Sequence, residues 1–145
     1  MILSRLKKIL YKKIKIIFDT YSFNKLNKDK KEIIFYSESL KDWHFFENII
    51  AILINKYNLN ICYLTSDLND NNHLKNNSKF NSFFIGSNFF LILIFHFINS
   101  KLLIMTMGDL DNFHIKKNTK STNPTKYIYL PHQTVSAHMA DNKNF

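Results

Sequence analysis

Four short polar stretches hold the side chains best suited to bind a ligand or move a proton. They are Ser37-Glu38-Ser39, Thr65-Ser66-Asp67, Thr106-Met107-Gly108-Asp109 and Pro131-His132-Gln133-Thr134. Each follows an apolar run of strand length. In a parallel α/β sheet, ligands bind beyond the carboxyl ends of the strands. Strand ends are also polar because they meet water, so the signal lies in the set and not in any one residue. His132 is the leading single candidate. It follows a strand-like run and Pro131, and an imidazole titrates near neutrality and can accept a hydroxyl proton as a general base. The competing reading is a surface histidine on a loop. His138 is a weaker second candidate. His96 falls inside an apolar helical pattern and is expected to be a core histidine. His44, His73 and His114 lack metal-ligand spacing, and no metal site is assigned. Cys62, the single cysteine, allows no intramolecular disulfide and no cysteine-based metal site. It lies in an apolar run, as a core thiol does, rather than in the setting of a nucleophile.

These stretches must be positioned by the elements before them. Ile33-Ile34-Phe35-Tyr36-Ser37, Asn60 to Thr65, Phe80 to Ile85, Lys101 to Met107 and Tyr127 to Leu130 have the length and β-branched or aromatic content of buried strands. Between the first two, Trp43, Phe46, Ile49, Ile50, Leu53, Ile54 and Tyr57 repeat at helical spacing, with Ser39 or Asp42 as N-cap and Asn58 at the end. Residues 88–99 form the second helix. Residues 66–78 are a polar loop and residues 108–123 are mostly loop. Alternation of strand and helix predicts an α/β fold, a Rossmann-like parallel sheet with right-handed crossovers. No closing helix follows the last strand, so the domain over residues 32–145 is expected to be incomplete. The unfinished edge would favour a partner chain or a homo-oligomer.

Glycines occur only at Gly86 and Gly108, which excludes both the dinucleotide-binding G-x-G-x-x-G fingerprint and the P-loop. No cofactor is assigned. A nucleotide, if used, would be held by another domain.

The net charge of +9 is carried almost wholly by the first 31 residues, which hold ten Lys/Arg and two Asp. The near-neutral body argues against nucleic-acid binding. A basic appendage points instead to an anionic membrane surface or another acidic partner. Residues 1–21 form a basic amphipathic helix, followed by a polar linker over 22–31. Ile2, Leu3, Leu6, Ile9, Leu10, Ile14, Ile17 and Tyr21 fall on one side. Arg5, Lys8, Lys12 and Lys15 fall on the other, with Lys7 and Lys13 at the flanks. The pattern is that of a helix lying in the membrane interface, or else of an ordinary helix packed on its own domain. Lysines interrupt any signal-peptide core. Phe83 to Met107 is long and apolar, but Gly86-Ser87-Asn88 and Asn99-Ser100-Lys101 divide it into a buried helix between two strands rather than a transmembrane span.

The runs IIFYSES, ICYLTSD, FFIGS, LLIMTMGDLDNFHIKK and YIYLPHQTVSAHM, over about residues 32–140, together resemble the CDP-glycerol glycerophosphotransferase family, the teichoic-acid-type polymerases and primases and their relatives. The resemblance implies the N-terminal half of a GT-B architecture, with facing Rossmann-like domains. The N-terminal half binds the acceptor, and the other half, missing here, holds the CDP-activated donor. It further implies a peripheral enzyme at the cytoplasmic face of the cell membrane, acting in cell-envelope or surface polymer synthesis, with His132 as base. Ser37, Glu38, Thr65, Asp67, Asp109 and His114 would position the acceptor. The family context His-Gly-Thr is His-Gln-Thr here, with Gln133 at the middle position. Alone, the chain is expected to be inactive. The alternative is a non-catalytic domain, left by truncation, that docks on membrane or on a partner.

Overall fold

The computed structural model describes residues 2–86, 89–106 and 125–131. Five parallel strands form one sheet. They are β1 (Ile33–Ser37), β2 (Ile61–Thr65), β3 (Phe80–Phe84), β4 (Leu102–Met105) and β5 (Lys126–Tyr129), in the order β3-β2-β1-β4-β5. Helix α1 is Ile2–Lys25, α2 is Trp43–Asn55 and α3 is Phe89–Phe97. The α/β, Rossmann-like fold read from the strand–helix alternation is therefore the observed one.

The strand order has a physical origin. Each parallel neighbour needs a crossover. The chain passes from β1 through α2 to β2, and by a hydrogen-bonded loop to β3. It then returns through α3 to the far side of β1, where Leu102 to Met105 pair with Ile33 to Tyr36. The direction of strand addition reverses there, between β1 and β4, and a crevice opens at the carboxyl edge beside Thr106.

Period-two alternation divides the core into two layers. Ile34, Tyr36, Cys62, Leu64, Phe83, Leu103 and Met105 face Leu91, Ile94, Phe95 and Ile98 of the α3 segment. Phe35, Ile61, Tyr63, Phe80 and Ile104 face Phe46 and Ile50 of α2. Asn58, at φ 53°, turns the chain out of α2, and its N–H bonds Ile54 O at 3.1 Å. Residues 83–107 are split among β3, α3 and β4, and no described helix is long and apolar enough to cross a membrane. His96 lies within α3, its side chain outside the described residues.

The N-terminal helix is longer than its apolar pattern suggests. Residues 22–25, read as linker, continue α1, and Lys28–Lys31 form a 3-10 turn. The continuation follows from Phe23, which sits about one turn beyond Asp19 and Thr20 and two beyond Ile16, and is buried in the α3-side core against Phe83. The helix thus docks through Ile16, Asp19, Thr20 and Phe23, a face distinct from its apolar stripe. Leu6, Leu10, Ile14, Ile17 and Tyr21 all remain more than half exposed. The helix is therefore packed on its own domain, as the ordinary-helix alternative expects, but through a face other than its apolar stripe.

Asp19 is the fixing point. Its buried carboxylate accepts from Lys15 Nζ at 2.8 Å and from the backbone N–H of Phe84 at 2.8 Å. Phe84 belongs to edge strand β3, so a helix side chain supplies the acceptor that a further strand would otherwise supply. Gly86 follows at φ +64°, and a Cβ there would lie 2.6 Å from Ile16 Cδ1. Glycine is required by the backbone conformation, while the end of the Ile16 side chain would have to shift for a Cβ.

Candidate functional site

The crevice at the strand reversal has a volume of about 390 Å³. Its walls are Glu38, Ser39, Lys41, Asp42, His44, Phe45 and Thr106. These residues come from the turn after β1, the first turn of α2 and the end of β4. The turn is built by its own carboxylates. Asp42 Oδ2 accepts from the backbone N–H groups of Glu38 at 2.9 Å and Ser39 at 3.1 Å. Asp67 Oδ2 accepts from the N–H of Leu40 at 3.1 Å, and its Oδ1 from the N–H of Asn69 at 2.9 Å. The backbone donors at the start of a helix after β1 are the groups with which many Rossmann-like domains hold a phosphate. Here two side chains of the domain itself occupy three of them. An arriving phosphate would have to displace a carboxylate that the helix N-terminus already stabilises. These three N–H groups are therefore already satisfied within the chain, and the crevice wall offers a ligand the side chains of Glu38, Ser39, Lys41, His44 and Thr106.

Four predicted acceptor residues are described, and the fold gathers them at the carboxyl ends of β1 and β2, though in different roles. Glu38 is exposed and forms part of the crevice wall. Ser37 is fully buried, and its hydroxyl donates to Ser39 O at 2.7 Å. Thr65 is also fully buried, its Oγ1 accepting from the N–H of Asp67 at 3.2 Å. Asp67 ties the β2 loop to the β1 turn through Leu40. Ser37, Thr65 and Asp67 thus shape the turn. Asp109, His114 and His132, like His138, lie outside the described residues. Pro131, the residue before His132, is exposed just past β5. Because β5 runs parallel beside β4, Pro131 belongs to the same carboxyl edge as the crevice.

Sequence reasoning gave His44 no role and took Asp42 only as a cap. Yet the chain contains the signal that finds them. They occupy the first helical turn after the first strand, and a Rossmann-like order makes that strand one wall of the crevice. His44 is exposed, its ring 3.8 Å from that of Phe45.

Cys62, Tyr63, Tyr36 and Lys31 serve the fold rather than the crevice. Burial pushes the Cys62 thiol well above its ordinary range and so disfavours the nucleophilic thiolate. Burial also raises Tyr63, whose hydroxyl donates to the buried Asp70, and Tyr36, which is bonded to Ser66. A second hollow, of about 350 Å³, opens beside Phe23, Asn24 and Lys31. There Lys31 Nζ donates to Phe23 O and Asn24 O, both at 3.2 Å, so its charge is committed to the last carbonyls of α1. Among the described residues no group of three or more His, Cys, Asp or Glu could hold a metal ion.

Of the four basic residues assigned to a membrane surface, Arg5, Lys8 and Lys12 are exposed, whereas Lys15 is partly buried in its ion pair with Asp19.

No family model, no curated protein and no solved structure matches the chain.

Proposed function

We propose that this chain is the acceptor-side domain of a transferase that moves a glycerophosphate-like group from a CDP-activated donor to a membrane-associated acceptor. The observation that carries the reading is the crevice at the strand reversal, beside a turn whose backbone N–H donors are taken by Asp42 and Asp67 rather than left for a nucleotide's phosphate. Such a site favours a hydroxyl-bearing acceptor over a nucleotide. The donor would be held by a second α/β domain, and the chain alone would not turn over. The resemblance to CDP-glycerol glycerophosphotransferases supports the same division of labour.

In this reading Glu38 and Ser39 orient the acceptor. His132, next in the chain after Pro131, takes the proton of the acceptor hydroxyl. The alkoxide oxygen forms a bond to the donor's β-phosphorus while the bond from that phosphorus to the bridging oxygen breaks, and CMP leaves. General-base catalysis of this kind contributes about 10²–10⁴-fold. The test is release of CMP from CDP-glycerol in the presence of acceptor, by the assembled two-domain transferase. His132→Ala lowers the rate by about 100-fold or more, and turnover near that of the parent contradicts the assignment.

A non-catalytic peripheral domain is the second reading. It is favoured by one observation, the exposed apolar stripe of α1. The same assay separates the two, because only the first makes the rate depend on His132.

A further inference from the structure

Helix α1 passes the sheet in the direction opposite to the strands. Phe23 meets Phe83, Asp19 bonds the N–H of Phe84, and Ile16 abuts Gly86 just beyond the carboxyl end of β3. Residues 5–14 continue past that edge, and every one of them is exposed. At a rise of 1.5 Å per residue they project about 15 Å.

At about 100° per residue, the docked residues Ile16, Asp19, Thr20 and Phe23 centre on one azimuth, and Leu6, Leu10, Ile14, Ile17 and Tyr21 centre roughly 130° away. The apolar stripe therefore runs four turns along the side facing away from the body. Lys7 and Lys13 stand about 60° to either side of it, and Lys25 shares the azimuth of Lys7. Arg5, Lys8 and Lys12 lie nearly opposite, on the azimuth of the docked face.

We infer that this stripe is the surface on which the protein lies against an anionic lipid bilayer, with Lys7, Lys13 and Lys25 as the headgroup contacts. Arg5, Lys8 and Lys12 point away from the lipid. Charge selects this occupant. Every charged residue from Arg5 to Lys13 is basic, so a second copy packed stripe to stripe would set like charges together, whereas a layer of anionic headgroups complements them. The bilayer is met from its surface, since no described helix is long and apolar enough to cross it. With α1 between body and bilayer, the strands lie roughly along the membrane plane and the carboxyl edge opens sideways, beside the projecting turns of the helix. This assignment does not depend on the transferase reading.

The test is co-sedimentation of the whole 145-residue chain with vesicles of phosphatidylglycerol and phosphatidylcholine, against phosphatidylcholine alone. The unmodified chain sediments with the anionic vesicles. The pair Lys7→Glu with Lys13→Glu weakens binding by at least tenfold, while Arg5→Glu with Lys12→Glu, the same change in net charge, weakens it less than threefold. Leu10→Gln with Ile14→Gln, both at exposed positions, also costs at least tenfold, with far-ultraviolet circular dichroism unchanged. An NBD label at Ile14→Cys shifts to the blue on anionic vesicles, and one at Lys12→Cys does not. Equal loss for the two charge pairs means binding follows net charge alone and overturns the assignment. So does an absence of vesicle binding by the parent chain. A dimeric parent that the Leu10/Ile14 variant converts to monomer, with vesicle binding unchanged, overturns it in favour of a second copy.

Discussion

The carboxylate of Asp67, just after β2, accepts a hydrogen bond at 3.1 Å from the backbone N–H of Leu40, which lies in the turn after β1, 27 residues earlier. Together with Asp42, whose Oδ2 accepts from the N–H groups of Glu38 and Ser39, it satisfies the backbone of that turn. Local chain geometry therefore bears directly on what the crevice accepts. Asp42→Ala leaves the N–H groups of Glu38 and Ser39 without their acceptor and lowers stability by about 1–3 kcal/mol, measured by urea denaturation. The double variant Asp42→Ala with Asp67→Ala gains affinity for inorganic phosphate over the parent, measured by chemical-shift titration. Unchanged phosphate affinity would show that these donors are not the seat.

Gly86 and Ile16 form a second critical contact, where α1 meets the end of β3. Gly86→Ala places a Cβ against Ile16 Cδ1 at a backbone conformation that L-residues adopt at a cost. It destabilises the fold by about 1–2 kcal/mol, chiefly through the left-handed backbone conformation. Combined with Ile16→Ala, the loss is less than the sum of the two single losses, because the second change removes the clash. A thermal-unfolding cycle over the four proteins checks this, and strict additivity contradicts the contact.

Alkaline pH weakens the fold through groups buried in neutral form. Burial raises Cys62, Tyr36 and Tyr63 above their ordinary values. Once the pH exceeds the unfolded thiol's value of about 8.5, and then the phenols' value of about 10, the unfolded chain releases protons that the folded chain retains. Their contribution is therefore fully present below about pH 8.5 and declines as pH rises toward the folded values. Urea midpoints fall from pH 8 to pH 10.5, and Cys62→Ser removes the earlier part of that decline. The native chain reacts with a thiol reagent at pH 8 only as fast as it unfolds.

Much of the fold was legible in the residues. Ile33 to Ser37 and Ile61 to Thr65 are too short and too β-branched or aromatic for helices. Phe46 and Ile50 repeat at helical spacing on a face that a sheet must cover. The carboxyl-edge location of the candidate site followed from those strands alone. What lies inside the crevice did not, because it depends on the return through α3 that sets β4 beside β1, and so sets Thr106 across from His44 and Phe45. Nor could the pattern reveal how α1 docks. Its apolar stripe is the obvious packing face, yet the helix is held by Asp19, a charged residue whose partner, the N–H of Phe84, lies 65 positions away. Ser37, Thr65 and Asp67 lie at the carboxyl edge, where strand ends suggest ligand roles, and there their hydroxyls and carboxylate bond the chain's own backbone. A list of polar strand ends cannot separate those two uses, since both need the same atoms at the same positions.

The most direct test of the central claim is a chemical-shift titration of the isotope-labelled chain with two ligands, a short polyol acceptor such as glycerol-1-phosphate-linked glycerol and, separately, CDP. The acceptor moves the amide signals of Glu38, Ser39, His44, Phe45 and Thr106, and CDP leaves them in place, if the crevice is an acceptor site. Movement of those same signals by CDP, with none by the acceptor, would make the crevice a nucleotide seat and contradict the account.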